Sequence, residues 1–246
     1  MDFLKYDWCS AREVYKPEQI AAAYKKMHDA VLSNGRPMIY SLCEYGMDSP
    51  WIWGPKIGAQ LWRTTDDVSN KIDFQEYARM MFVGFGQEGL QHSAGRGHWN
   101  DPDFLQIGNR GLNLDEDKTQ MALWSLLAAP LFSSTNVTKL TAAQLAILTN
   151  PEVVAVDQDP KGIQGHRLNQ AGPIQVWVKP LSRGRTAVGL INSGESEFPA
   201  SVNFSDTGYS GPVHVRDLWE RKNLGVFKNS YSAIVPKHGV VLIEIY

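Results

Sequence analysis

Cysteine is nearly absent from this 246-residue chain: Cys9 and Cys43 are the only two. They are too few for a disulfide scaffold and too far from any histidine pattern for a zinc site, which leaves the redox compartment open. Blocks of like charge are missing too. Lys and Arg number 24 against 26 Asp and Glu, a formal net charge of −2, so neither nucleic acid nor a membrane surface is expected as a partner. No apolar run approaches the roughly 20 residues of a membrane helix. Met1 is followed at once by Asp2 and an apolar segment, so no signal peptide is expected at this end. There is no internal repeat and no low-complexity segment. What remains is an ordinary globular composition, 43% hydrophobic, long enough for one large domain or two smaller ones.

Strand and helix signals alternate through the first two thirds. Apolar strands are expected near residue 3, over Met38 to Leu42, over Ile57 to Trp62, near residue 97 and at Leu131-Phe132-Ser133 after Pro130. Between them the spacing predicts a helix opening at Lys16-Pro17-Glu18 and running through Asn34, with Gly35 as its stop. Further helices are expected from about Asp73 to Phe85, carrying Phe74, Tyr77, Met80, Met81 and Val83, from Asp115 to Ala129, and from Thr141 to Leu148, with Thr141 as N-cap. Such alternation indicates parallel βαβ units.

From about Gly162 the pattern changes to short alternating segments: Ile174-Val178, Arg185-Ile191, Ala200-Phe204, Val213-Asp217, Gly225-Val226 and Gly239-Ile245. These read as an antiparallel β domain, with the boundary between Gln158 and Gly165. Five barrel-type strands are too few for a closed (β/α)8 barrel. The expected fold is therefore α/β: the second half of such a barrel over residues 1–160, followed by an antiparallel β-sandwich over residues 161–246. A half-barrel leaves two sheet edges unpaired, so a homodimer or an N-terminal barrel half is expected to complete it.

Acidic residues directly follow the apolar strands: Asp7 after Phe3-Leu4-Lys5-Tyr6, Glu44 after Met38 to Cys43, and Asp67 four residues after Arg63. Side chains at the carboxyl ends of parallel strands converge on one face, and two carboxylates there can divide labour as nucleophile and general acid/base in glycoside cleavage. Taken singly, each has a plainer reading. Asp7 could end a strand in a turn, Asp67 could cap the next helix, and Glu44 could be a solvated loop residue. Lys5 shares a strand face with Asp7 and is expected to help keep it ionised.

The motifs Leu4-Lys5-Tyr6-Asp7-Trp8-Cys9, Ser41-Leu42-Cys43-Glu44-Tyr45-Gly46, Trp62-Arg63-Thr64-Thr65-Asp66-Asp67, Trp99-Asn100-Asp101-Pro102-Asp103 and Val215-Arg216-Asp217-Leu218-Trp219, in this order and spacing, resemble the α-galactosidases of glycoside hydrolase family 27. The resemblance spans the whole chain, from the fourth barrel strand to the end of the β domain. It implies a retaining enzyme that removes terminal α-galactose without metal or organic cofactor. Asp7 would be the nucleophile and Asp67 the general acid/base. Lys5, Glu44 and Arg63 would bind galactose hydroxyls or hold the catalytic carboxylates, Asp103 would lie near the sugar, and Tyr45 would present an aromatic face to it. Cys9 matches a cysteine usually disulfide-bonded to the barrel's first half, and the family setting favours a secreted or periplasmic location.

The departures are Tyr45 for the usual Trp, Phe104 for the usual Met, and Asp66 for the Gly of many relatives. Related specificities are the α-N-acetylgalactosaminidases, disfavoured by Glu44, and the β-L-arabinopyranosidases. The other class of reading is an inactive or partner-dependent carbohydrate-binding fragment. Cys43 reads as a small buried residue, and His92 and His98 as loop or structural residues. Trp51, Trp53, Trp62 and Trp99 offer aromatic surface, with core packing the default for each. Asn136-Val137-Thr138 and Asn203-Phe204-Ser205 fit the glycosylation sequon, a frequent coincidence outside secreted eukaryotic proteins.

Overall fold

A computed structural model describes residues 2–68, 76–109 and 111–246. Strands β1 (Phe3–Asp7), β2 (Ile39–Cys43), β3 (Leu61–Arg63) and β4 (Trp99–Asp101) form one parallel sheet in that order. Helices α1 (Ile20–Ser33), α2 (Pro50–Trp53) and α3 (Glu76–Phe85) alternate with them. A 3-10 turn at Pro17–Gln19 leads into α1, where Pro at the first position costs no hydrogen bond. Expected positions Asp73 and Phe74 lie outside the described residues. The fifth expected strand, Leu131 to Ser133, shrinks to a single parallel bridge between Leu105 and Ser133. Its hydrogen bonds are Leu105 N to Phe132 O at 2.7 Å and Ser134 N to Leu105 O at 3.1 Å. Pro130, lacking an N–H, restricts pairing before it.

Helix α4 (Leu114–Leu127) follows, capped by Asn113, whose side chain accepts from the amides of Asp115 and Glu116. Nearly every residue from Glu116 to Leu127 is buried, because α4 lies between the parallel sheet with its helices and the β domain. Glycines let both neighbours press on it: a Cβ would stand 2.6 Å from the Leu126 side chain at Gly189 and 2.5 Å from the Leu123 side chain at Gly84. Helices α5 (Ala142–Leu148, N-cap Thr141) and α6 (Pro151–Asp157, N-cap Asn150) complete the helical part.

The remaining strands are β5 (His166–Ala171), β6 (Ile174–Pro180), β7 (Thr186–Asn192), β8 (Phe198–Asn203), β9 (Val213–Asp217), β10 (Lys222–Phe227), β11 (Ser230–Val235) and β12 (Val240–Ile245). They form a six-stranded antiparallel sheet in the order β10-β9-β12-β7-β6-β5 and a two-stranded sheet β11-β8. One core lies within the β domain around Val176, Val188, Val202 and Phe204. A second joins the β domain to the helices through Trp177, Leu181, Ala187, Leu218 and Leu242.

Candidate active site

The parallel sheet aligns a row of chemically active residues at its carboxyl edge. Asp7 pairs with Cys43 across β1 and β2. Leu42 pairs with Trp62, so Cys43 and Arg63 follow one step on, and Arg63 pairs with Asp101 across β3 and β4. Asp7 is solvent-exposed while Arg63 is 1% exposed, so the row runs from an open carboxylate to a buried cation.

Three donors converge on Asp7 Oδ1: the Tyr45 hydroxyl at 2.5 Å, the Cys9 amide at 3.2 Å and the Cys9 thiol at 3.3 Å. Partial burial opposes ionisation of Asp7, but hydrogen bonds from Tyr45, Cys43 and Cys9 outweigh it and hold the carboxyl below its ordinary range. Lys5, expected to supply that stabilisation, instead places its Nζ 4.7 Å from the centre of the Phe104 ring. The Phe that replaces the usual Met thus gives Lys5 a cation–π partner. Burial pushes the Cys43 thiol up to about 12, consistent with an inert, fully buried side chain.

Arg63 organises the second carboxylate. Its Nη2 lies 3.2 Å from Asp67 Oδ1, 3.0 Å from Asp103 Oδ2 and 3.2 Å from the Thr65 carbonyl. Burial works against its charge, and the neighbouring carboxylates of Asp103 and Asp101 more than restore it. Asp103 also accepts from the Val68 amide at 2.9 Å, so it ties the Asp67 loop down from below. Asp67 itself is exposed. Asp66, the extra carboxylate beside it, turns to Arg79 at 3.1 Å and accepts from the Asp67 amide at 2.9 Å. The fully buried Asp101 is driven towards its neutral form by burial, against the pull of Arg63.

Glu44, expected to face a ligand, is fully buried, and its two oxygens accept from the amides of Gly46 at 3.1 Å and Asp48 at 3.0 Å. Burial raises its pKa, against the opposing pull of those amides. It therefore shapes the turn after β2. Within that turn Tyr45 and Gly46 have φ of 63° and 77°. A Cβ at Gly46 would come within 2.2 Å of the Thr64 carbonyl, so no other residue fits. Trp62 is buried and donates to Asn100 Oδ1 at 2.6 Å, a core role. The thiols' part around Asp7 is the feature sequence reasoning missed; the register of Cys43 beside Asp7 was its available signal.

The family profile described as alpha galactosidase A matches residues 1–159, and that of the alpha galactosidase C-terminal beta sandwich domain matches residues 171–245. The probable alpha-galactosidase of Dictyostelium discoideum is 35% identical over 251 residues, covering all of this chain and 63% of its own length. The alpha-N-acetylgalactosaminidase of Homo sapiens is 33% identical over 260 residues, covering all of this chain and 61% of its own length. Among solved structures, alpha-galactosidase I from Mortierella vinacea superposes with a TM-score of 0.88 at 31% identity, covering all of this chain and 68% of that one. The chain spans between 50% and 63% of the length of the first five curated relatives it matches. On these grounds the chain belongs to the melibiase family, glycoside hydrolase family 27, with the family's C-terminal β-sandwich at its end.

Proposed function

We propose that this chain carries the catalytic carboxylates of a retaining glycoside hydrolase that removes terminal α-galactosyl residues from oligosaccharides or glycoconjugates. The supporting observation is the aligned row Asp7, Cys43, Arg63 and Asp101, with Arg63 joining Asp67 to Asp103. Asp7, exposed and held as a carboxylate by hydrogen bonds, suits a nucleophile. A carboxylate oxygen of Asp7 forms a bond to the anomeric carbon while the glycosidic C–O bond breaks, and the leaving oxygen takes the proton of the Asp67 carboxylic acid. Water then gives its proton to Asp67, attacks the same carbon and releases Asp7.

Arg63 and Asp103 position Asp67, Lys5 and Tyr45 line the approach to Asp7, and Glu44 fixes the turn that carries Tyr45. Chemistry would reside in residues 1–160, with the β domain of residues 161–246 packing against α4. The test is proton NMR of p-nitrophenyl α-galactoside hydrolysis: α-galactose forming first supports retention, and β-galactose forming first refutes it.

A second reading concerns completeness. Strand β1 stands at the edge of its sheet, with Phe3 to Tyr6 half-buried and Phe132 41% exposed opposite. That edge suits completion by a second copy of the chain or by an N-terminal barrel half. Sedimentation of the purified chain separates the two: a dimer supports self-association, and a monomer that gains activity with the added half supports complementation.

A further inference from the structure

Aromatic residues near a sugar site are ordinarily read as stacking platforms, but Tyr45 meets Asp7 through its oxygen. Its hydroxyl donates to Asp7 Oδ1 at 2.5 Å, and the Cys9 amide and thiol take the same oxygen at 3.2 and 3.3 Å. The backbone is built to hold it there. Tyr45 sits at φ 63°, a region where non-glycine residues are uncommon, and Gly46 follows at φ 77° against the Thr64 carbonyl. The buried Glu44 carboxylate fastens the turn by accepting from Gly46 and Asp48. The Arg63 guanidinium carbon lies 6.0 Å from the centre of the Tyr45 ring, limiting its swing.

We infer that Tyr45 is a positioning residue that occupies Oδ1 of Asp7 and so assigns Oδ2 as the attacking atom. The inference rests on the reading of Asp7 as nucleophile. Once Oδ2 has bonded to the anomeric carbon, Oδ1 is the ester carbonyl oxygen and keeps the phenol as its donor. When water displaces the sugar, the Oδ2–carbon bond breaks and its electron pair returns to the carboxylate. A donor on Oδ1 favours that return, because it stabilises the departing negative charge.

The test compares the wild-type chain with Tyr45→Phe, which keeps the ring and removes only the hydroxyl. The Asp7 carboxyl signal, identified by its loss in Asp7→Asn, is titrated by carbon-13 NMR. The midpoint is expected to rise in Tyr45→Phe, and the acid limb of p-nitrophenyl α-galactoside hydrolysis to rise with it. kcat is expected to fall about 10- to 100-fold with little increase in KM, the scale of one hydrogen bond to a charged group. Incorporating a trifluorotyrosine at position 45 preserves the ring and strengthens the donor, and should move the midpoint down. Unchanged midpoints in both variants would overturn the inference, as would unchanged kcat in an active Tyr45→Phe. Hydrolysis absent from the wild type, both alone and with the N-terminal barrel half added, would instead sink the assignment of Asp7 as nucleophile, and this inference with it.

Discussion

Arg63 and Asp103 form an ion pair of 3.0 Å in which the guanidinium is 1% exposed and the carboxylate 9% exposed. The same Nη2 reaches the exposed Asp67, so one buried cation sets the position of a carboxylate at the surface. Asp103 closes the arrangement by holding the Val68 amide, in a backbone conformation of φ 88°.

Arg63→Lys should disable this arrangement without removing the charge, because a lysine ammonium on its shorter side chain does not reach the point where Nη2 meets two carboxylates and a carbonyl. A stability loss of about 2 kcal/mol is expected, below the roughly 3–5 kcal/mol for removing one partner of a buried pair because the positive charge is kept. Hydrolysis should fall more than about 100-fold, as misplacement of a catalytic group implies. Urea unfolding and p-nitrophenyl α-galactoside kinetics measure the two effects.

Gly46→Ala should be among the most damaging single-methyl additions in the chain. The new Cβ would meet the Thr64 carbonyl oxygen at 2.2 Å and its carbon at 2.7 Å, and main chain cannot swing aside as a flexible side chain would. A loss of about 2 kcal/mol or more is expected from overpacking and the positive φ together. Thermal unfolding would record it, and a near-normal Tm would show that the turn relaxes freely.

Asp117 predicts a pH dependence of stability. Burial pushes its carboxyl up to about 6, against hydrogen bonds from Gly108 and Gln144. A folded-state value above the unfolded one means this group's stabilising contribution is fully present only below the unfolded value of 3.8 and is lost as pH rises from there through about 6. Asp117→Asn should therefore raise Tm by roughly 2–4 °C at pH 7.5 and leave it nearly unchanged at pH 4. A gain of equal size at both pH values would contradict the assignment.

Lys179→Met tests the joint between the β domain and α4. Lys179 is fully buried and donates to the Ser125 carbonyl at 2.9 Å and the Asp157 carbonyl at 3.2 Å. Burial lowers its pKa and raises that of Asp157, while each charge supports the other. Methionine fills the space but leaves two carbonyls without their donor and the Asp157 carboxyl without its neighbouring positive charge, so a loss of about 2–4 kcal/mol is expected. Restoration by the double variant with Asp157→Asn would locate part of that cost in the stranded carboxyl.

The parallel sheet and the row of acidic residues were legible because strand ends and carboxylates adjoin in sequence, as at Tyr6-Asp7 and Cys43-Glu44. The resemblance then supplied roles that spacing alone leaves open. Local signals failed where tertiary contacts decide. Glu44 follows a strand just as Asp7 does, yet the tight turn at Tyr45 and Gly46 draws its carboxylate inward onto backbone amides. Lys5 shares a strand face with Asp7, but an aromatic ring about a hundred residues later captures its ammonium. Strands β5 and β11 and helix α6 left weaker signals because His166–Ala171 is a polar edge strand, Ser230–Val235 is a largely half-exposed strand of a two-stranded sheet, and Pro151–Asp157 is only two turns long.

The most direct test of the account is release of p-nitrophenol from p-nitrophenyl α-galactoside by the purified chain, run beside Asp7→Asn. The account predicts turnover by the wild type and a loss of at least about 1,000-fold in the variant, the scale for removal of a covalent nucleophile. Equal turnover in both, or none from the wild type even with the N-terminal barrel half added, would contradict it.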